Sequence, residues 1–371
     1  MKACVVGAGN VGCAIAAILA REGCDVTLLK TSTRGQNENF DVVERQKGLV
    51  LQYLDAEREF VPLRRVTKNF DAALGEELDL VFVATQTHAH RELAPRVAAA
   101  LKSAKLLIVA PGYLGSVYFR RALQEDRVPI VAEGESPPYD ARIEAPGFVR
   151  VCFKNVRNAL SFLPTEARDE GLRIASSFVE TYQYSRSNVL ESALYNPNLV
   201  LHTIGTVLSA SRIEYSQGEF WMYREAFTPS VWRVIETLDA EKNAVLEAFG
   251  LEPLPYLKAC QFRNEQELGG DPMETFRGYA ANGGPKCPGA LDTRFLTEDV
   301  PNGLGLLASL GRAVGVPTPV AESLIAMSGA LLGRNFQRDA RTLESLGFSS
   351  LEELKEFVGI KEDSEGDLTD E

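Results

Sequence analysis

Two short segments and one histidine carry the residue types most able to do chemistry in this chain. The segments are Gly7-Ala-Gly-Asn-Val-Gly12 and Asp292-Thr-Arg-Phe-Leu-Thr-Glu-Asp-Val-Pro301, and His202 is one of only three histidines. Glycines at the first, third and sixth positions permit a tight turn, let backbone approach a pyrophosphate, and bring a helix close to a strand; the helix N-terminus favours the anion. That reading requires a strand before and a helix after. Lys2-Ala-Cys-Val-Val6 and Val11 to Glu22 supply them, so Gly7, Gly9, Asn10, Val11 and Gly12 are expected to bind a dinucleotide. A histidine titrates nearer neutral pH than any other side chain. His202 lies in the apolar run Tyr195-Asn-Pro-Asn-Leu-Val-Leu-His-Thr-Ile-Gly205, where a lone histidine is more often a structural residue than a proton handler.

The other end of a dinucleotide makes its own demand. An NAD enzyme places an acid after the second strand to hold the ribose hydroxyls. Here Asp25-Val-Thr-Leu-Leu29 is followed by Lys30-Thr-Ser-Thr-Arg34, two cations with hydroxyls between them and no acid. Lys30, Ser32 and Arg34 would suit a 2′-phosphate, so NADP(H) is preferred, with NAD(H) as the alternative. Thr85-Gln-Thr-His-Ala-His-Arg-Glu92 and Pro111-Gly-Tyr-Leu-Gly115 follow later apolar runs, at the sheet edge where ligands of open α/β folds bind. Thr85, His90 and Pro111 are expected to touch the cofactor, and His90 also to begin a helix. His88 and His90 lack a third ligand nearby, a poor arrangement for zinc, so no metal site is expected.

These residues need elements to hold them. Short β-branched runs alternate with helical patterns through the first half, including Leu78–Val83, Leu106–Val109 and Val128–Val131, all reading as buried parallel strands. From about Pro164 the strand signals fade. Thr228 and Pro229 open a long helix that Gly250 closes, Ser350-Leu-Glu-Glu353 is a capping box, and Asn196 with Pro197 starts the helix that holds His202. Thr297 or Glu298 starts another. The fold class is α/β, an N-terminal Rossmann doubly wound parallel sheet with a C-terminal all-helical domain. The expected boundaries are 1–165 and 166–360, with 361–371 an acidic, disordered tail.

Composition bounds the partners. With 371 residues and 45% hydrophobic content the chain exceeds one ordinary domain. The last ten residues hold six acids and no base, so the rest carries half of the net charge of −12. A mildly acidic body without a basic block predicts no nucleic-acid and no membrane partner. Six cysteines without a CxxC pair, and no signal or apolar span, point to a reduced cytoplasmic protein. A homodimer through the helical domain is the expected assembly.

In combination the motifs resemble the octopine/nopaline (opine) dehydrogenase family. The resemblance rests on Gly7 to Gly12, on Asn188-Val-Leu-Glu-Ser-Ala-Leu-Tyr-Asn-Pro197 with His202 behind it, on Thr228-Pro-Ser-Val231, and on Arg294-Phe-Leu-Thr-Glu-Asp-Val-Pro301. It runs in order to about residue 358. It implies NAD(P)H-dependent reductive condensation of an α-keto acid with the amino group of an amino acid, with His202 and Asp299 catalytic and Arg294 holding a substrate carboxylate. Glu298 remains the alternative partner of His202 and a substrate-binding residue, and Tyr223, with Trp221 and Glu225, is expected to shape the amino-acid pocket. Glu133-Gly-Glu-Ser-Pro-Pro-Tyr139 approximates the family's Glu-Thr-x-x-x-Pro-Tyr segment, which brings Glu133 into the cofactor-binding set. Phe295 stands where tyrosine is common. The competing readings are a ketopantoate-reductase-like 2-keto acid reductase, which would use a lysine, and a noncatalytic NADP(H)-binding sensor.

Overall fold

The computed structural model describes residues 1–33, 35, 37–128, 130–282 and 286–360. Arg34 and the acidic tail lie outside the described residues. The strands, in chain order, are β1 (Lys2–Val6), β2 (Asp25–Leu29), β3 (Gly48–Tyr53), β4 (Glu59–Pro62), β5 (Arg65–Thr67), β6 (Glu77–Val83), β7 (Ser103–Val109), β8 (Ile130–Gly134), β9 (Tyr139–Ala145), β10 (Phe148–Lys154), β11 (Ala159–Leu163) and β12 (Tyr184–Ser185).

The main sheet has the order β12-β11-β8-β7-β6-β1-β2-β5. Every pairing is parallel except β11 with β8. The order in which successive strands are added reverses between β1 and β6, and the crevice above that point is where an open α/β fold takes its ligand. The run expected at Val128–Val131 forms a strand two residues later. A second sheet, order β4-β3-β10-β9, was not foreseen. Its strands mix buried and exposed positions along short runs, a weaker signal than the continuous apolar runs of the parallel strands.

The sheet domain also runs past residue 165. The helix Arg168–Phe178 packs on β11 and β7, and β12 adds a final strand parallel to β11. Two residues of pairing are too few to leave a pattern. Beyond Ser185 the described residues are helices and loops. Asn188 caps the helix Val189–Leu194 by accepting from the amides of Leu190 and Glu191. Pro229–Ala248 begins at the expected proline, and Ser350 accepts from the Glu353 amide to open Leu351–Val358. One continuous apolar core joins Val83 and Val109 of the sheet to Leu199, Leu296 and Leu307 of the helices. No helix among the described residues is long and apolar enough to cross a membrane.

Candidate active site

A cleft of about 710 Å³ separates the carboxyl edge of the main sheet from the helical domain. Gly7 to Val11, Lys30, Ser32, Thr85 and Pro111 line its sheet side; His202, Tyr223, Arg294, Phe295 and Glu298 line the other.

On the sheet side the glycines do different things. Gly7 has φ +116°, a conformation that L side chains rarely adopt, and a Cβ on Gly12 would stand 1.8 Å from the Gly7 carbonyl oxygen. Gly9 has no protein atom within 4 Å of where its Cβ would lie. The turn is closed on itself at Gly12 and open to the cleft at Gly9, the arrangement a pyrophosphate needs. Thr85 Oγ1 is buried without a hydrogen-bond partner among the described residues, and Thr85 lines the cleft. A dinucleotide therefore fits these residues. Lys30 Nζ donates to Ser32 Oγ at 3.3 Å and to the Gly35 carbonyl at 2.6 Å.

On the helical side His202 lies in the second turn of Asn198–Leu208, which begins one residue after Pro197; Asn196 Oδ1 accepts from the Asn198 amide. His202 Nδ1 is 2.8 Å from Asp299 Oδ2, and Asp299 Oδ1 accepts from Tyr113 Oη at 3.0 Å. Phe295 stacks on the imidazole, with ring centroids 3.7 Å apart and planes 13° apart. Burial pushes the two acid–base partners in opposite directions: it lowers the pKa of His202 and raises that of Asp299 to about 7.

Glu298 does not partner His202. Its Oε1 accepts from the Thr87 amide at 2.6 Å, and its Oε2 is 3.9 Å from Arg294 Nη1. Burial and the neighbouring Asp299 raise its pKa. Glu298 stands at the N-cap position of the π-helical turn that Asp299 opens. The helical run starts at Arg294, and its middle, Asp299–Leu304, is wound as a π-helix before Gly305–Val314 continues. Pro301 lacks the N–H an α-helix would use there. Gly303 lets the Tyr113 ring close in, since a Cβ on it would be 3.0 Å from Tyr113 Cε1.

Three expectations are corrected. His90 begins the helix His90–Ala100 but is wholly buried against Phe119 and Gly115, outside the cleft; burial holds its pKa down to about 3, and His88 lines the cleft instead. Glu133 is buried behind the loop, accepting from the amides of Leu114 and Ser116 and from Ser116 Oγ. It thereby holds the left-handed residues Tyr113 and Leu114 (φ +50° and +61°) in place. Trp221 and Glu225 bond to each other away from the cleft, whereas Tyr223 forms the wall between the cleft and a second cavity of about 640 Å³ lined by Phe227, Trp232 and Phe276. Sequence reasoning missed Tyr113 and three residues of the cleft wall, Arg142 and the pair in which Tyr279 Oη donates to Asp140 Oδ2 at 3.0 Å. Tyr113 stands inside a glycine-flanked loop at the sheet edge and Asp140 and Arg142 directly follow the Glu133–Tyr139 segment, which were the available signals; Tyr279 carries none.

Fold and site define a nicotinamide-dinucleotide oxidoreductase in which a Rossmann sheet faces a helical domain carrying a histidine–carboxylate pair. Residues 185–332 match the family described as NAD/NADP octopine/nopaline dehydrogenase, alpha-helical domain, and residues 3–128 match Ketopantoate reductase PanE/ApbA. The second match stays within the sheet domain. The opine dehydrogenase of Arthrobacter sp. (strain 1C) is 32% identical over 355 residues, 94% of this chain and 95% of that one. The chain belongs to the opine dehydrogenase family, NAD(P)-dependent oxidoreductases acting on CH–NH donors. Among solved structures, octopine dehydrogenase with NADH and L-arginine superposes with a TM-score of 0.73 at 19% identity over 98% of this chain and 99% of that one. NADP+-bound yersinopine dehydrogenase gives 0.69 at 14% identity over 94% and 96%.

Proposed function

We propose that this enzyme joins the amino group of an amino acid to the carbonyl carbon of an α-keto acid and reduces the resulting imine with NAD(P)H. The products are a secondary-amine dicarboxylate, NAD(P)+ and water. The observation that carries the reading is the His202–Asp299 pair on the cleft wall opposite the glycine turn. With Nδ1 donating to the Asp299 carboxylate, Nε2 is the ring nitrogen left to work in the cleft.

An amino acid arrives as an ammonium ion, which cannot attack a carbonyl. Nε2 of His202 takes its proton, and the freed lone pair forms the carbon–nitrogen bond. Asp299 stabilises the imidazolium so formed, and Tyr113 holds the other oxygen of that carboxylate. His202 then returns the proton to the carbinolamine hydroxyl, which leaves as water. Arg294, open to the cleft, offers a planar fork to a substrate carboxylate. The bound dinucleotide supplies the hydride that completes the reduction. Phe295 fixes the imidazole plane by stacking. Gly7 to Val11 would hold the pyrophosphate, with Thr85 and Pro111 lining the same cleft beside the nicotinamide.

Preference for NADP(H) is part of the proposal. It is supported by Lys30 and Ser32 lining the cleft after β2 in the absence of an acid there. The test is to follow the absorbance of reduced cofactor with panels of keto acids and amino acids. Oxidation that requires both substrates is expected. Oxidation by keto acid alone would mean a simple keto-acid reductase, and none with any pair would leave a dinucleotide-binding protein without this chemistry.

A further inference from the structure

A dinucleotide pyrophosphate carries about two negative charges, and the glycine turn answers them with amides and a helix dipole only. Five lysines and arginines among the described residues line the cleft. Lys286 faces Glu219, Arg263 faces Glu135, and Arg294 faces Glu298. Lys30 is turned onto Ser32 and Gly35. Among the described residues Arg142 forms no ion pair, and its one hydrogen bond there runs from Nη1 to the carbonyl of Ala141 in its own strand, at 2.8 Å. It is exposed to the cleft.

Its backbone is fixed close to the glycine turn. Arg142 lies on β9, the outermost strand of the small sheet, which packs along the first helix, Asn10–Arg21. The next residue, Ile143, donates its amide to Asn10 Oδ1 at 2.9 Å, within the first turn of that helix. The cleft that Arg142 lines also carries His202. The guanidinium therefore belongs between the phosphate-binding turn and the reacting end of the cleft.

We propose that Arg142 is the cation that pairs with the pyrophosphate of the bound dinucleotide, reaching across the cleft from the edge of the small sheet. The small sheet is then part of the cofactor site. Because the inference concerns binding alone, it stands or falls separately from the condensation reaction.

The test is fluorescence titration of NADH and NADPH, with ADP-ribose as a competing ligand, on the full chain without substrates. Arg142→Gln should weaken all three by about tenfold and by the same factor, and Arg142→Lys should restore part of the loss. The residue is exposed, so the thermal unfolding midpoint should not move. A loss confined to NADPH would assign Arg142 to the 2′-phosphate and overturn the proposal. Unchanged affinities would also overturn it, including the case where only the KM of the keto acid rises and the arginine serves a substrate carboxylate.

Discussion

His202 and Asp299, ninety-seven positions apart in the chain, meet through a 2.8 Å contact between Nδ1 and Oδ2. Asp299→Asn keeps the size of the side chain but removes the charge that stabilises the imidazolium. It should lower kcat by about a hundred- to ten-thousandfold, with the dinucleotide Kd unchanged in a fluorescence titration. His202→Ala should abolish turnover with the same unchanged Kd. A variant at either position that retains wild-type turnover removes the pair from the mechanism.

The pair also sets a pH limit. Above about 7 Asp299 is ionised, Nδ1 carries the proton and Nε2 is a free base; below it the added proton occupies the pair and Nε2 cannot accept. The kcat/KM profile should therefore lose activity as pH falls through about 7. Tyr113→Phe removes a hydrogen bond to the carboxylate, which raises the Asp299 pKa, so the acid limb should move upward by roughly half a unit to one unit. A limb that stays in place would show that Asp299 does not control it.

The two glycines of the turn should fail in different ways. Gly12→Ala drives a Cβ into the Gly7 carbonyl and should lower the unfolding midpoint; Gly9→Ala meets no protein atom and should leave it unchanged. Both should lose dinucleotide affinity in titration. If Gly9→Ala binds normally, the pyrophosphate does not cross that point of the turn.

Lys30 should separate the two cofactors. Lys30→Ala is expected to weaken NADPH by about tenfold and NADH little, measured as the ratio of their Kd values. Equal losses would mean that Lys30 shapes the loop through Gly35 and Ser32 without reading the phosphate.

Arg294→Lys keeps the charge and loses the planar fork. A rise of about tenfold in the KM of a carboxylate substrate, with kcat less affected, is the expected result in steady-state kinetics. An unchanged KM would place carboxylate binding elsewhere in the cleft.

The parts legible in the sequence are those set by local pattern. β1, β2 and the glycine turn announce themselves by continuous apolar runs and fixed glycine spacing, and Pro229 and Ser350 mark helix starts by backbone chemistry alone. The pairing of His202 with Asp299 rather than Glu298 was left open, because adjacent residues are separated by helix winding, and here the winding is of the wider π kind around Pro301. Glu133 illustrates the opposite failure. The resemblance to the family segment puts Glu133 in the cofactor site, but three donors from the loop between Leu114 and Ser116 take its oxygens from behind. Arg142 escaped notice because the small sheet carrying it has no strong periodic signal.

The joint between the domains has a property that bears on how such proteins diverge. Glu298 takes the amide of Thr87, and buried Arg341 donates to the carbonyls of Gly112, Tyr113 and Thr87 at 2.6 to 2.7 Å. Four contacts across the joint thus end on backbone atoms, which every residue type supplies. Through these four contacts the helical half recognises the course of two loops, to which Tyr113 Oη adds a side-chain bond to Asp299 Oδ1. Away from Tyr113, substitutions in those loops can accumulate without loosening the joint, and helical domains exchanged between distant relatives should still seat, provided the acceptor keeps the same turns and that tyrosine.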